Sequence, residues 1–476
     1  MREDALAHES RDPAQQDSRS NQAREARAAA QNATSGLCAS FRLRFVMASS
    51  CDERALPPTT IALKYSGAPA PLVASLGVAK VRCAAYDERN GIVQMAFSLY
   101  IHIPYCHSKC PYCDFNSHAA SSWPEEEYTR ALIAEMRSRA GEPPWRGDQL
   151  KTIFFGGGTP SLFAARSIAE LIEAADAAFG LAPDAEITLE ANPGTVDGDK
   201  LAGFRAAGVN RISFGAQSFN PAILKFLGRR HSAEETRAAA RAAHRVGFAR
   251  LNLDLIFAVP GQTLADVLHD IQEAAGLEPD HISAYNLTFE EGTAFFAERQ
   301  RGRIRELSND EQAAMFATVR QELPRRGYPM YEISNYAAPG HEARHNLTYW
   351  RAESYLGLGA GAHSFARAAV GGRRWWNEKT PARYIELART HGVAENGGEI
   401  VDQTAAMGEF VFLNLRLRKG FATAEFEHRF GQPLGDSFGG VSGRLLRDGL
   451  LISRDGRVFL SDRGVELGDS VFAQFV

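Results

Sequence analysis

A chain of 476 residues, 45% hydrophobic and 23% charged, is long enough for one large buried core and one or two smaller units of an ordinary globular protein. Its net charge of -4 argues against a general polyanion binder, so no nucleic-acid partner is expected. No apolar run approaches the roughly 20 residues that span a bilayer, which leaves only peripheral membrane contact open. Six cysteines are too few for a disulfide scaffold, and such usage fits a reducing cytoplasm.

Residues 1–94 stand apart from the rest. The opening stretch mixes acidic side chains and arginines with Ala, Gln and Ser and has no apolar periodicity. It lacks the apolar centre of a secretory signal and is too acidic for a mitochondrial leader. The expectation is a disordered extension, or one foreign to the native protein, with translation starting at Met95 or at Met47. Cys38, Cys51 and Cys83 all fall within it.

The first convincing strand, 97–103, runs into the segment Tyr100-Ile-His-Ile-Pro-Tyr-Cys106-His-Ser-Lys-Cys110-Pro-Tyr-Cys113-Asp-Phe115. Three cysteines at C-x3-C-x2-C suit a 4Fe–4S cluster, whose fourth iron would stay open to a small molecule. Two other readings stand beside this one: a disulfide with one thiol left over, and a zinc site. Zinc needs a fourth ligand, and neither His102 nor His107 completes a recognised spacing.

Further strands are predicted at 151–155, 186–190, 210–215, 250–256 and 281–286. Helices with i, i+3, i+4 apolar spacing are predicted at 124–140, 164–179, 198–207, 232–246 and 263–276. This alternation implies a parallel sheet, an incomplete (β/α)6 barrel over 95–290, with ligands at the carboxyl ends of its strands. Motifs fall at those ends. Gly156-Gly157-Gly158-Thr159-Pro160 follows the second strand, either a plain tight turn or a place where backbone approaches a ligand. Glu190 ends the third strand, suited to a ribose or an amino group or else to capping a helix. Gln217, with Arg229 beyond it, follows the fourth strand, and Asp254 lies on the fifth; both could equally form ion pairs or caps.

Residues 291–399 complete the barrel and carry His345-Asn-Leu-Thr-Tyr349-Trp350. A histidine beside aromatic rings is either a haem ligand or a core ring satisfied by hydrogen bonds. His363, after a glycine-rich run, is expected to be structural and to line the barrel mouth. Residues 400–476 form a separate α+β unit, with helices at 403–415, 423–430 and 435–448 and a hairpin around Asp455-Gly456. That order suggests a winged-helix-like module, without the basic aromatic face of a nucleic-acid binder.

Taken together and in this order, the cysteine loop, the glycine run, Glu190, Gln217, Arg229 and Asp254 resemble the radical S-adenosylmethionine (SAM) superfamily over 95–476. The flanking residues resemble its HemN/HemW branch, the oxygen-independent coproporphyrinogen oxidases and their haem-chaperone relatives. The resemblance implies that Cys106, Cys110 and Cys113 ligate the cluster and that Tyr100, Gly157 and Glu190 contact the SAM bound to iron. Tyr112, Gly158, Thr159, Gln217, Arg229 and Asp254 match positions that line a second SAM site in the oxidase branch. H-N-x-x-Y-W resembles the haem motif of the chaperones, with His345 as the ligand, and the tail resembles their carboxyl-terminal domain. The chemistry implied is one-electron cleavage of SAM to a 5′-deoxyadenosyl radical. No side chain is assigned a catalytic role.

Two functions follow. One is a haem chaperone that binds cluster, SAM and haem, draws electrons from a flavodoxin- or ferredoxin-like donor, and passes haem to an acceptor protein. The other is an oxidase decarboxylating coproporphyrinogen III. Asp114-Phe115 stands where the oxidase pattern has Gly-Cys, residues before Tyr100 resemble no oxidase arm, and the haem motif is complete, so the chaperone reading is preferred. A cluster-sensing transcription factor has only the winged-helix resemblance behind it.

Overall fold

Along each central strand, apolar side chains alternate with polar or aromatic ones, and that period of two fixes what faces the helices and what faces the interior. In the computed structural model, which describes residues 96–476, the strands are β1 (Ala96–Ile103), β2 (Gln149–Gly157), β3 (Leu181–Ala191), β4 (Arg211–Gln217), β5 (Arg250–Phe257) and β6 (His281–Asn286). They pair in that order, each parallel to the next. Leu99, Ile101, Ile153, Phe155, Leu189, Phe214 and Leu253 are fully buried. Their alternates Tyr100, Phe154, Glu190, Ser213 and Asp254 line an interior cavity. The expectations for residues 1–94, for Cys38, Cys51 and Cys83, and for a start at Met95 or Met47 lie outside the described residues.

The crossover helices are α1 (Glu125–Ala140), α2 (Ala165–Phe179), α3 (Gly198–Ala206), α4 (Pro221–Phe226), α5 (Ala233–Arg245) and α6 (Leu264–Gly276). On α2 the buried residues Ile168, Leu171, Ile172, Ala175 and Phe179 form one stripe. Reciprocal caps start two others: Ser232 with Glu235 on α5, and Thr263 with Asp266 on α6. Helix α4 escapes the periodicity reading because six residues hold too little pattern; Asn220 caps it and Pro221 opens it.

Helices α7 (Ala294–Gln300) and α8 (Asn309–Arg325) follow, then β7 (Met330–Glu332), β8 (Asn335–Ala337), the short α9 (Arg344–Trp350), β9 (Tyr355–Leu358), β10 (His363–Arg367), β11 (Gly372–Asn377), α10 (Pro381–His391) and β12 (Glu395–Val401). Strand β9 lies parallel to β1 on its free side. Strands β10 to β12 extend the sheet antiparallel beyond it, and β8 and β7 extend it beyond β6. The two ends of the resulting 12-stranded sheet do not pair, so the barrel stays incomplete.

Residues 402–476 contain α11 (Gln403–Leu415), α12 (Thr423–Phe430), α13 (Leu434–Arg447) and a three-stranded sheet made by Phe421–Ala422 and the hairpin Leu451–Arg454/Arg457–Leu460. This is the winged-helix order. Phe410 of α11 packs against Phe421, Phe426 and Phe430, and the apolar core runs unbroken from the barrel into this unit.

One buried carboxylate ties the glycine-rich run after β9 to α1. Glu135 accepts from Gly359 N–H at 3.3 Å, Asn377 Nδ2 at 2.8 Å and Tyr384 Oη at 2.7 Å. At Gly359 (φ +105°) a Cβ would lie 2.5 Å from the His102 carbonyl oxygen, so only glycine fits there. Glu135→Ala strands three buried donors and is expected to cost about 3 kcal/mol, read as a lower urea midpoint.

Candidate functional site

The cysteine loop leaves the carboxyl end of β1 and is clamped on several sides. Its backbone closes on itself, with Cys113 N–H on Cys110 O at 3.1 Å, His118 N–H on Pro104 O at 2.7 Å and Ala120 N–H on Cys106 O at 2.9 Å. His102, which points inward from β1, bonds the Asn116 carbonyl through Nε2 and the Tyr100 hydroxyl through Nδ1, both at 2.9 Å. A carbonyl only accepts, so Nε2 carries the proton and Nδ1 accepts from Tyr100. Burial pushes this imidazole down to about 4, so it is uncharged at neutral pH.

Cys106, Cys110 and Cys113 are free, half-buried thiols on the wall of one cavity of about 440 Å³. Cys106 Sγ meets Thr159 Oγ1 at 3.4 Å, Cys113 Sγ meets Ser117 Oγ at 3.8 Å, and Cys110 Sγ accepts from Arg229 Nη1 at 3.4 Å. Burial pushes the Cys113 thiol up to about 11, against its bonds to the Phe115 backbone and Ser117. With all three cysteines free, the structure gives the disulfide reading no support. The zinc reading lacks its fourth ligand, since both His102 nitrogens are engaged and His107 lies edge-on to Trp123 at 5.7 Å. Among the described residues, no three His, Cys, Asp or Glu side chains gather tightly enough for one metal ion. Three thiols on one cavity wall are a donor set that fits an iron–sulfur cluster.

Beside the thiols, the glycine run nests against β1. A Cβ at Gly156 would lie 2.8 Å from the Tyr100 ring, at Gly157 (φ +114°) 2.5 Å from the His102 ring, and at Gly158 2.6 Å from the Tyr105 carbonyl oxygen. Gly157 N–H donates to Glu190 Oε2 at 3.3 Å. Glu190 shares the cavity with Asp254, which is held by Ser213 Oγ at 3.2 Å and Asn252 Nδ2 at 2.8 Å. Burial, and then the neighbouring Asp254, push Glu190 up to about 8. Burial raises Asp254 as well. Two carboxyls facing one enclosed space suit a cationic ligand such as a sulfonium or an amine. Tyr112, Thr159, Gln217 and Arg229 line the same space, so the structure brings every predicted cluster and SAM position to one cavity.

His345 also lines that cavity, but from the opposite end. Helix α9 closes the amino-terminal end of the barrel: Thr348 Oγ1 bonds Ser98 Oγ at 2.8 Å, His345 Nδ1 bonds Thr152 Oγ1 at 2.7 Å, and Glu186 accepts from His345 N–H at 3.1 Å. The ring's Nε2 bonds Tyr349 Oη at 2.9 Å, and Phe154 stacks on it at 5.0 Å. Burial pushes His345 down to about 3. An uncharged imidazole fits a haem iron, provided that Nε2 exchanges its Tyr349 partner. His363, expected at the barrel mouth, is not on the cavity wall; its ring packs against Trp376 at 5.7 Å.

Sequence reading missed the wall beyond α9. There Arg416 of α11 lies 4.3 Å from the Trp350 ring centroid and 3.6 Å from buried Glu332, and Arg374 of β11 pairs with Glu409 at 2.8 Å. These residues are far apart in sequence and share no motif. Arg211, buried near the barrel floor, could have been found, since it sits two residues before the inward-facing Ser213.

Glu190 makes stability depend on pH. Its folded-state value lies above the ordinary 4.5, so the folded state retains a proton that the unfolded chain has released, and stability falls as pH rises from about 4.5 to about 8. Glu190→Gln removes that loss. It is expected to raise the thermal midpoint above the parent's at pH 8.5 and to leave it unchanged at pH 4.5.

Comparison with known proteins meets this geometry. The radical SAM superfamily model matches residues 100–274, and the HemN C-terminal domain model matches 401–467. The heme chaperone HemW of Bacillus subtilis is 36% identical over 383 residues, covering 80% of this chain and 99% of that protein. HemW of Escherichia coli is 45% identical over 269 residues, covering 56% of this chain and 69% of that one. The solved coproporphyrinogen III oxidase HemN of Escherichia coli, 24% identical, superposes with a TM-score of 0.69 over 80% of this chain and 90% of its own, which shows a shared fold. With near-complete coverage of a relative at this identity, the chain belongs to the HemW family of radical SAM proteins.

Proposed function

We propose that this protein is a haem chaperone that binds a 4Fe–4S cluster, SAM and haem and passes the haem to an acceptor protein. The observation that carries the reading is the convergence of three free thiols, two carboxyls and an uncharged imidazole on one cavity. Cys106, Cys110 and Cys113 hold the cluster. Tyr100, Gly157 and Glu190 would hold the SAM beside it, while Tyr112, Gly158, Thr159, Gln217, Arg229 and Asp254 line the seat that the oxidase branch gives to a second SAM. When bound, a reduced cluster of this kind supplies one electron to the sulfonium. The chain's own part is to orient that cation between Tyr100 and Glu190 and to exclude water. His345 would supply Nε2 to a haem iron in place of its bond to Tyr349. A flavodoxin- or ferredoxin-like donor supplies the electron, in the cytoplasm. No helix among the described residues is long and apolar enough to cross a membrane, and membrane contact in this reading is peripheral.

Anaerobic reconstitution of the purified protein is expected to give the broad visible absorbance of an iron–sulfur cluster. Cys110→Ser should abolish it and weaken SAM binding; zinc without iron or sulfide in the parent protein overturns the reading. Haem added to the protein should give a Soret band that His345→Ala shifts. Removing the competing hydroxyl with Tyr349→Phe should tighten haem binding about fivefold, the equivalent of one hydrogen bond of about 1 kcal/mol. Coproporphyrinogen III supplied with SAM and reductant should stay unconverted, and its turnover to protoporphyrinogen IX would make the protein an oxidase.

A further inference from the structure

Arg229 reaches the cysteine loop from the far side of the barrel, and its contacts exceed those of a ligand-lining residue. Nη1 donates to Cys110 Sγ and to Tyr112 Oη, each at 3.4 Å. Nη2 donates to the Gly215 carbonyl oxygen at 3.0 Å and to Asn192 Oδ1. Gly215 lies on β4 and Asn192 just past the end of β3. Two neighbouring strand ends thus fix the guanidinium plane and aim one edge at a ligand sulfur. Gly228, which precedes Arg229, has no room for a side chain: a Cβ there would lie 2.8 Å from Pro111 Cδ. The arginine's backbone is thereby pressed against the loop that it serves. Its charge is felt at Cys106 as well as at Cys110. Lys109, a second cation near the loop, is exposed and bonded to the Phe115 carbonyl oxygen, where water screens it.

A donor fixed on a ligand sulfur stabilises whichever redox state puts more negative charge there, and in a one-electron cluster couple that is the reduced state. We propose that Arg229 is the residue that sets the reduction potential of the cluster in this protein, by holding one positive N–H against the Cys110 sulfur and so favouring the electron-loaded state. The inference rests on the three thiols holding a cluster.

The test is a potentiometric titration of the reconstituted full-length protein, followed by the paramagnetic signal of the reduced cluster, without SAM or haem. Arg229→Gln should lower the midpoint enough to change the reduced-to-oxidised ratio at fixed potential at least tenfold, about 59 mV for a one-electron couple. Arg229→Lys, which keeps the charge but not the fork, should fall between Gln and the parent. Lys109→Gln should move the midpoint less than either. Gln and parent titrating within a factor of two overturns the proposal, as does Lys109→Gln moving the midpoint as far as Arg229→Gln. If the Gln variant assembles no cluster, the Lys variant decides: a lowered midpoint supports the role, and a midpoint equal to the parent's removes it. Failure of the parent protein to bind iron and sulfide would instead remove the cluster reading itself.

Discussion

One uncharged imidazole joins the barrel to its cysteine loop. His102 donates to the Asn116 carbonyl on one side and accepts from the Tyr100 hydroxyl on the other. Its ring fills the volume that any residue but glycine at 157 would need. Asn116 in turn donates to the Ala360 and Lys379 carbonyls, and Tyr128 Oη bridges the His102 carbonyl and the Ala360 N–H. The loop that carries the three thiols, the Tyr100 hydroxyl and the glycine run all meet at this one ring. Protonating that ring would force the Tyr100 hydroxyl to turn from donor to acceptor, and burial keeps the charged state out of reach near neutrality.

The parallel core was legible because its period-two strands and period-3.6 helices each carry strong apolar patterns. The polar alternates were legible only as motifs. Glu190 and Asp254 could be placed at strand ends, but nothing local in the sequence says that they share one enclosed space. His345 carried a motif too, and its two alternatives converge in the structure: the ring is satisfied by Thr152 and Tyr349, yet it faces the cavity. The side to which α9 would dock could not be read. The thiols and the carboxyls lie toward the carboxyl ends of the strands, whereas this histidine lies at the other end, which α9 plugs. The wall formed by Glu332, Arg374, Glu409 and Arg416 was invisible for a simpler reason: it is assembled from β7, β11 and α11, which only tertiary packing brings together.

The cavity thus has chemically different ends. Near the cysteine loop it is lined by thiols, glycine backbone and two carboxyls with raised affinity for protons. Near α9 it is lined by rings and by guanidinium–carboxylate pairs, with Arg416 lying over Trp350. Tyr100 and Phe154 lie between, their rings 6.2 Å apart, and His345 of α9 meets them at 6.4 and 5.0 Å. Aromatic side chains with little rotameric freedom suit a partition of this kind, since they hold a boundary at small entropic cost.

The apolar core that passes without a break from the barrel into residues 402–476 makes the winged-helix unit part of the barrel's own floor. Helix α11 supplies Phe412, Leu413 and Arg416 to the cavity wall, and Gly408 lies so close to the carboxyl terminus that a Cβ there would meet the Phe475 carbonyl oxygen at 2.1 Å. A chain shortened after residue 401 would keep every thiol yet open the chamber from below. The last few residues of the polypeptide thus support the wall of a cavity whose thiols stand more than three hundred positions earlier.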